Sequence, residues 1–164
     1  HLPSPGWISI SVAPSPVRAV PVEAWEWFGS PGHFICASYC RFHLCTLIGE
    51  HLVSTVGEYL PDSAVREIVA KSRGITLEGR GDAREADFLD KLGYEDIGSG
   101  RKYETMVFRI TGERCTSSDC GCGLPKIIPH ELDFCGYNRA DDAARGHKKM
   151  CEKWSAAPHP EAIW

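Results

Sequence analysis

The chain lacks any apolar run long enough to cross a membrane, so no transmembrane segment is predicted. It also lacks a basic excess, because its net charge is −4. That balance argues against a broad nucleic-acid surface, although a local basic patch stays open. Its 164 residues are 43% hydrophobic and 24% charged, which suits one globular domain with a hydrophobic core.

Signals of secretion are missing as well. The start of the chain has neither the basic segment nor the continuous apolar stretch of a signal peptide, and no N-x-S/T sequence occurs. Residues 1–22 hold five of the eleven prolines, which forbid a helix and weaken a strand. We therefore expect an irregular leader over residues 1–22, which need not be native, a single domain over 23–155 and a flexible tail over 156–164.

Motifs of common enzymes are absent too. The chain has no P-loop, no dinucleotide-binding glycine pattern, and no H-E-x-x-H, G-x-S-x-G or deaminase pattern. One carboxylate, Glu104, is a candidate general acid or base. It shares a strand face with Met106 and Phe108, where burial would raise its pKa. The sequence leaves open whether the protein is an enzyme.

The segments that are present alternate between β-rich and helix-forming patterns. Strands are predicted over residues 22–28, 44–48, 51–60 and 103–110, the middle two as a hairpin. Helices are predicted from Asp62 or Ser63 to Gly74, from Asp82 to Gly93, and from Asn138 to about Trp154. A cysteine-rich loop is expected from Thr111 to about Cys135. This order predicts an α+β fold, a small antiparallel sheet with three helices, stapled by metal.

Finer features of these segments can also be predicted. Gly57, inside a strand, indicates a bulge or a close backbone contact. Asp82 and Glu85 have the spacing of a capping box. In the first helix, an inward face would hold Val65, Ile68 and Val69. In the second helix, it would hold Phe88, Leu89 and Leu92. In the last helix, the inward stripe would consist of Ala140, Ala143, Ala144, His147, Cys151 and Trp154.

Eight cysteines are many for a chain of this length. They could form disulfides in a secreted protein or bind metal in a reducing compartment. The cysteines cluster with histidines, and no secretion signal is seen, so we favour zinc in an intracellular protein.

The first predicted zinc site joins two pairs of residues. Cys40 and His43 (C-x2-H) would come from a loop entering the hairpin, and His147 and Cys151 (H-x3-C) from one face of the last helix. Such a Cys2His2 set would carry no net charge around Zn²⁺. The alternative is that His147 and Cys151 are core residues, since free cysteine is often buried.

A second predicted site consists of Cys115, Cys120 and Cys122 (C-x4-C-x-C), with Cys135 as the fourth ligand. Intervening glycines would let backbone amides turn toward the sulfur atoms. A disulfide within this cluster is the alternative. Because the two sites use six cysteines, Cys36 and Cys45 are assigned to the core.

Several blocks of the sequence resemble a family of small proteins found in actinobacteriophages and their hosts. The blocks are GHFI (32–35), CRFHLCT (40–46), LVSTVGEYLPD (52–62), ITLEGRGD (75–82), GRKYETMVF (100–108) and ARGHKKMCEKW (144–154). The absence of Gln and the single Asn fit the GC-rich coding of such sources. The resemblance implies a setting in the bacterial cytoplasm, phage- or prophage-encoded, and no particular reaction.

These observations predict a small zinc-binding protein that is non-enzymatic and acts through protein or nucleic-acid contacts. The basic run RGHKKMCEK (145–153) could meet a phosphate backbone, although such residues also complement a helix dipole. The alternative is a zinc-dependent enzyme in which the metal keeps one coordination position open for water. A secreted disulfide protein ranks last.

Overall fold

The computed structural model describes residues 18–29, 37–116 and 122–156. Its strands are β1 (Glu26–Phe28), β2 (Cys40–Ile48), β3 (His51–Tyr59), β4 (Tyr103–Arg114) and β5 (Pro125–Tyr137). Its α-helices are α1 (Ser63–Ser72), α2 (Asp82–Leu92) and α3 (Ala140–Ser155). The strands form one antiparallel sheet in sequence order, with α1 and α2 inserted between β3 and β4. The prediction of an α+β fold with an antiparallel sheet and three helices is confirmed.

The β2–β3 hairpin forms where the sequence predicts it. Leu47 pairs with Leu52 and Ile48 with His51, so Gly49 and Glu50 make the turn. Gly49 has φ +56°, a conformation that side chains rarely adopt. Gly57 faces the ring of Tyr103 so closely that a Cβ there would lie 1.9 Å from a ring carbon. The predicted close contact at Gly57 is confirmed.

Helix α3 packs on one face of the sheet, which we call the α3 face. Its inward residues join a core that includes Ile48, Val53 and Val107. The residues of α3 that are buried are Ala143, His147, Met150, Cys151 and Trp154. Most of the predicted stripe is therefore confirmed, but Ala144 is exposed and Met150 is buried instead. The opposite side of the sheet is called the far face.

Helix α1 begins at the predicted place. Asp62 is its N-cap, and Asp62 Oδ1 accepts hydrogen bonds from the amides of Ala64 (2.9 Å) and Val65 (3.1 Å). Of the predicted inward face, Val69 packs on the core, but Val65 and Ile68 do not, because they are 39% and 67% exposed. This short helix buries Ala70 instead, in a separate core with Leu60, Leu77 and Phe88.

Helix α2 also starts at the predicted residue, but the capping box is not formed. Gly81 is the N-cap and offers no side chain. The Glu85 carboxylate instead accepts hydrogen bonds from Arg41 (2.6 Å) and Arg66 (3.2 Å), so it ties α2 to β2 and α1. The helix ends at Gly93, which has φ +72°. Phe88 is fully buried, while Leu89 and Leu92 are half-buried beside it.

The predicted cysteine-rich loop from Thr111 to Cys135 is wrong over most of its length. Strand β4 continues to Arg114, and residues 125–137 form β5, which pairs with β4. Pro125 and Pro129 explain why no strand was predicted here, since proline within a segment argues against a strand. Proline is tolerated there because β5 lies at the edge of the sheet, where a missing N–H need not break a ladder.

The segment ahead of β1 contacts the end of α3. The amide of Val20 donates to the Ser155 carbonyl (2.8 Å), and the Val20 side chain packs on the α3 core. The predicted strand over 22–28 is shorter, since Val22–Ala24 form a 3-10 helix ahead of β1. Residues 1–17 and most of the expected tail (157–164) lie outside the described residues. Within the described ranges, no helix has both the length and the apolarity to span a bilayer.

Candidate functional site

Two residues of the first predicted zinc site, His147 and Cys151, lie one turn apart on α3 and face the sheet. Their exposed fractions are 1% and 0%. Both ring nitrogens of His147 contact threonine hydroxyls: Nε2 lies 2.8 Å from Thr46 Oγ1 and Nδ1 2.7 Å from Thr55 Oγ1. Thr55 Oγ1 lies 2.6 Å from Thr105 Oγ1, so the network crosses three strands.

The other pair of the predicted site lies elsewhere. His43 is three residues from Thr46 on β2, and side chains alternate along a strand, so His43 lies on the far face. Its Nε2 contacts the Gly29 carbonyl oxygen at 2.9 Å. Cys40 is buried in a small cluster with Val56 at the start of β2. The predicted meeting of the two pairs is therefore not formed, because the sheet separates His43 from His147.

The chemistry around His147 and Cys151 fits a core network. Burial lowers the pKa of His147 to about 4, and burial raises the pKa of the Cys151 thiol to about 12. A neutral imidazole has one donor and one acceptor, and the two hydroxyls complement both. Metal ligation needs a thiolate and a free ring nitrogen. The alternative of a core role, which the sequence left open, fits these contacts.

The second predicted zinc site is only partly described. Cys120 lies outside the described residues, while Cys115 and Cys122 lie on either side of residues 117–121. Cys122 packs beside Cys45 and Leu124 on the far face. Cys135 pairs with Thr105 on β4 and packs toward the α3 core, so it lies on the other side of the sheet. Cys135 is thus not placed to join Cys122 around one ion.

No group of three or more His, Cys, Asp or Glu side chains in the described residues could hold a metal ion. Cys45 is a core residue, as predicted, with 1% of its surface exposed. Burial, helped by the neighbouring Cys151 and Cys122, raises the pKa of Cys45 to about 12. Cys36 lies outside the described residues.

Glu104 lies on β4 with 8% of its surface exposed. It faces the same side as Met106, as predicted, since its partner across the strand pair is Val56 on the far face. Burial raises the pKa of Glu104, and the positive charge of Arg101, 3.8 Å away, acts in the opposite direction. Arg101 also lies over the ring of Phe134, 4.5 Å from its centre. Glu104 is therefore a buried carboxyl packed beside an arginine, an arrangement that suits a structural role as well as a catalytic one.

A groove of about 800 Å³ lies between β5 and α3. Residues 133–137 of β5 form one wall, residues 138 and 139 close one end, and one side of α3 between residues 142 and 153 forms the other wall. The Tyr137 hydroxyl fills the space beside Gly146, where a Cβ would lie 2.1 Å from it. This absence of a side chain at Gly146 lets strand and helix approach closely at that point.

The groove is lined by more positive than negative charge. Its cations are Arg139, Arg145, Lys149 and Lys153, and its carboxylates are Asp133 and Asp142. Asp133 is tied to Lys153 at 2.7 Å, and Asp142 to Arg145. Within the described residues, Arg139 and Lys149 make no ion pair. Two cations are thus left available to a partner.

Asp133 is held more firmly than an ordinary surface carboxylate. Besides Lys153, it accepts hydrogen bonds from Trp154 Nε1 (2.8 Å) and from the Phe134 amide (2.9 Å). Burial acts to raise the pKa of Asp133, but these donors outweigh it and the pKa is lowered. The carboxylate stays ionised and fixes β5 to the end of α3.

No family model, curated protein or solved structure matches this chain. The resemblance to actinobacteriophage proteins therefore stays a prediction. Sequence reasoning identified the basic run of α3 but missed the groove, because it placed a loop where β5 lies. The signal available was the alternation of apolar and polar residues in residues 131–135, ELDFC.

Proposed function

We propose that this protein is a non-enzymatic binding protein that holds an anionic partner in the groove between β5 and α3. The observation that carries the proposal is the excess of positive charge in the groove of a chain whose net charge is −4. Local charge of the opposite sign to the whole molecule favours a specific contact over general attraction to anions.

The state of the buried ionisable groups supports a binding role over catalysis. Cysteine acts as a nucleophile through its thiolate, and burial raises the pKa of Cys45 and of Cys151 to about 12. A general base needs a free lone pair near the reacting group, and both nitrogens of His147 are engaged by hydroxyls. None of these three residues lines the groove.

We also propose one zinc site, in the connection between β4 and β5. Cys115 and Cys122 border that connection, and Cys120 lies within it. An ion there would fasten the start of the edge strand β5 and contribute folding energy directly. A reducing compartment, such as the cytoplasm of a phage-infected or lysogenic bacterial cell, would keep such cysteines as thiols that can bind the metal.

The test compares two neighbouring lysines of α3. Lys149 lines the groove, whereas Lys148 points away from it with 72% of its side chain exposed. Binding of a fluorescein-labelled poly-glutamate and of a labelled oligothymidine would be measured by anisotropy for Lys149→Glu, Lys148→Glu and the parent protein. Both substitutions change the net charge equally. Lys148→Glu also removes the exposed Lys148–Glu152 pair (3.9 Å), so the stability of both variants is measured alongside binding.

We expect at least one probe to bind the parent and to lose about tenfold or more in affinity with Lys149→Glu, but less than about threefold with Lys148→Glu. Binding should also weaken as salt rises, since the contacts are between exposed charges. Equal losses for the two variants, or no binding of either probe, would overturn the proposal.

A further inference from the structure

Strand β5 has an open edge next to the groove. Within the described residues it pairs only with β4, so its other side offers backbone donors and acceptors that the sheet does not use. The first half of β5 is protected against pairing by Pro125, Lys126 and Pro129. The second half, residues 131–137, has no proline, and it is this half that forms the wall of the groove.

Cations on α3 run beside that unprotected half. Arg145, Lys149 and Lys153 follow one another at intervals of four residues, and all three line the groove. That interval is about 6 Å along a helix. Side chains on one face of an extended chain repeat at nearly the same distance, about 6.7 Å. An added strand could therefore present a carboxylate to Lys149, which makes no ion pair within the described residues. At Arg145 and Lys153 its carboxylates would have to share the cation with Asp142 and Asp133.

The two sides of such a strand would meet different surroundings. One side would face the cations of α3. The other would lie beside Phe134, which belongs to the far face because it pairs with Met106, and which is 40% exposed. A segment that alternates acidic and apolar residues matches both sides.

We propose that the partner is an acidic, extended peptide segment of another protein, which adds to the edge of β5 as a sixth strand. The inference rests on the proposed function of the groove and names its partner. Nucleic acid fits less well, because Asp133 and Asp142 lie in the groove and would repel an unbroken row of phosphates. A peptide can place neutral residues opposite these carboxylates.

The test uses labelled ten-residue peptides and the full chain. The probe alternates Glu and Val, and one control alternates Lys and Val. A second control keeps the Glu–Val sequence but carries N-methyl groups on alternate residues, which removes backbone donors along one edge and leaves the charge unchanged. Two such peptides, methylated on either register, cover both edges. An oligothymidine of matched length is the fifth probe.

We expect the Glu–Val peptide to bind, the Lys–Val peptide not to bind, and one of the methylated registers to lose about tenfold or more in affinity. If the unmethylated Glu–Val peptide and both methylated peptides bind with equal affinity, strand addition is overturned. Binding of oligothymidine alone, with the sensitivity to Lys149→Glu described above, would overturn the peptide as partner and leave the proposed function standing. If no probe is sensitive to Lys149→Glu, both proposals fail.

Discussion

The imidazole of His147 lies in the core with both nitrogens within 2.8 Å of threonine hydroxyls and with the ring of Trp27 5.7 Å away. Helical spacing was sufficient to predict that His147 and Cys151 face inward together. It could not show which side of the sheet His43 occupies, because that depends on strand register. The two pairs therefore looked compatible in sequence although the sheet lies between them.

The burial of His147 predicts a loss of stability in acid. Its pKa falls from 6.5 to about 4 on folding, so the unfolded chain takes up a proton that the folded chain does not. Full stability is present above pH 6.5 and is lost as the pH falls toward 4. We expect the free energy of unfolding in urea to drop by about 2 kcal/mol from pH 7 to pH 5 through this group.

The matched control is His147→Gln, whose amide can still exchange hydrogen bonds with Thr46 and Thr55 but does not titrate. Other groups also titrate in this range, Glu104 among them, so the relevant quantity is the difference between the two proteins. Cys151 stays neutral, with its pKa raised to about 12. The same slope of stability against pH in His147→Gln and in the parent would refute the prediction.

At the scale of elements, the helices and the hairpin could be predicted from local signals, whereas β5 could not. Asp62 caps α1, Gly93 ends α2 and Gly49 turns the hairpin, each through chemistry confined to a few residues. Strand β5 forms because it pairs with β4. Its own sequence shows only a weak strand pattern, because it contains two prolines. The capping box at Asp82 failed for a related reason, since Glu85 is drawn to Arg41 and Arg66.

The zinc that we propose in the connection between β4 and β5 predicts a difference between two cysteine variants. Elemental analysis of the purified parent should show bound zinc, and Cys122→Ser should lose it. Cys151→Ala should keep it, because Cys151 lies in the α3 core away from Cys122. That variant should instead lose about 1 kcal/mol of stability from the small cavity it leaves. Zinc absent from the parent, or lost from Cys151→Ala and kept in Cys122→Ser, would contradict the assignment.

On the scale of the whole molecule, the sheet divides the chemistry of the chain into two sides. The α3 face holds the threonine–histidine network and opens at its edge into the charged groove. The far face holds Cys45, Cys122 and Glu104. The order of strand and helix patterns was enough to predict the α+β class with its antiparallel sheet and three helices. The groove could not be predicted, because it exists only where β5 and α3 meet.

Binding of a partner in this groove can be checked by finding which residues a bound anion protects. Hydrogen exchange followed by mass spectrometry would be measured with and without the probe that binds the parent. We expect slower exchange in residues 131–137 of β5 and in residues 138 and 139 after it, and little change in α1 and α2. Protection centred on α1 and α2, with none in β5, would contradict this expectation.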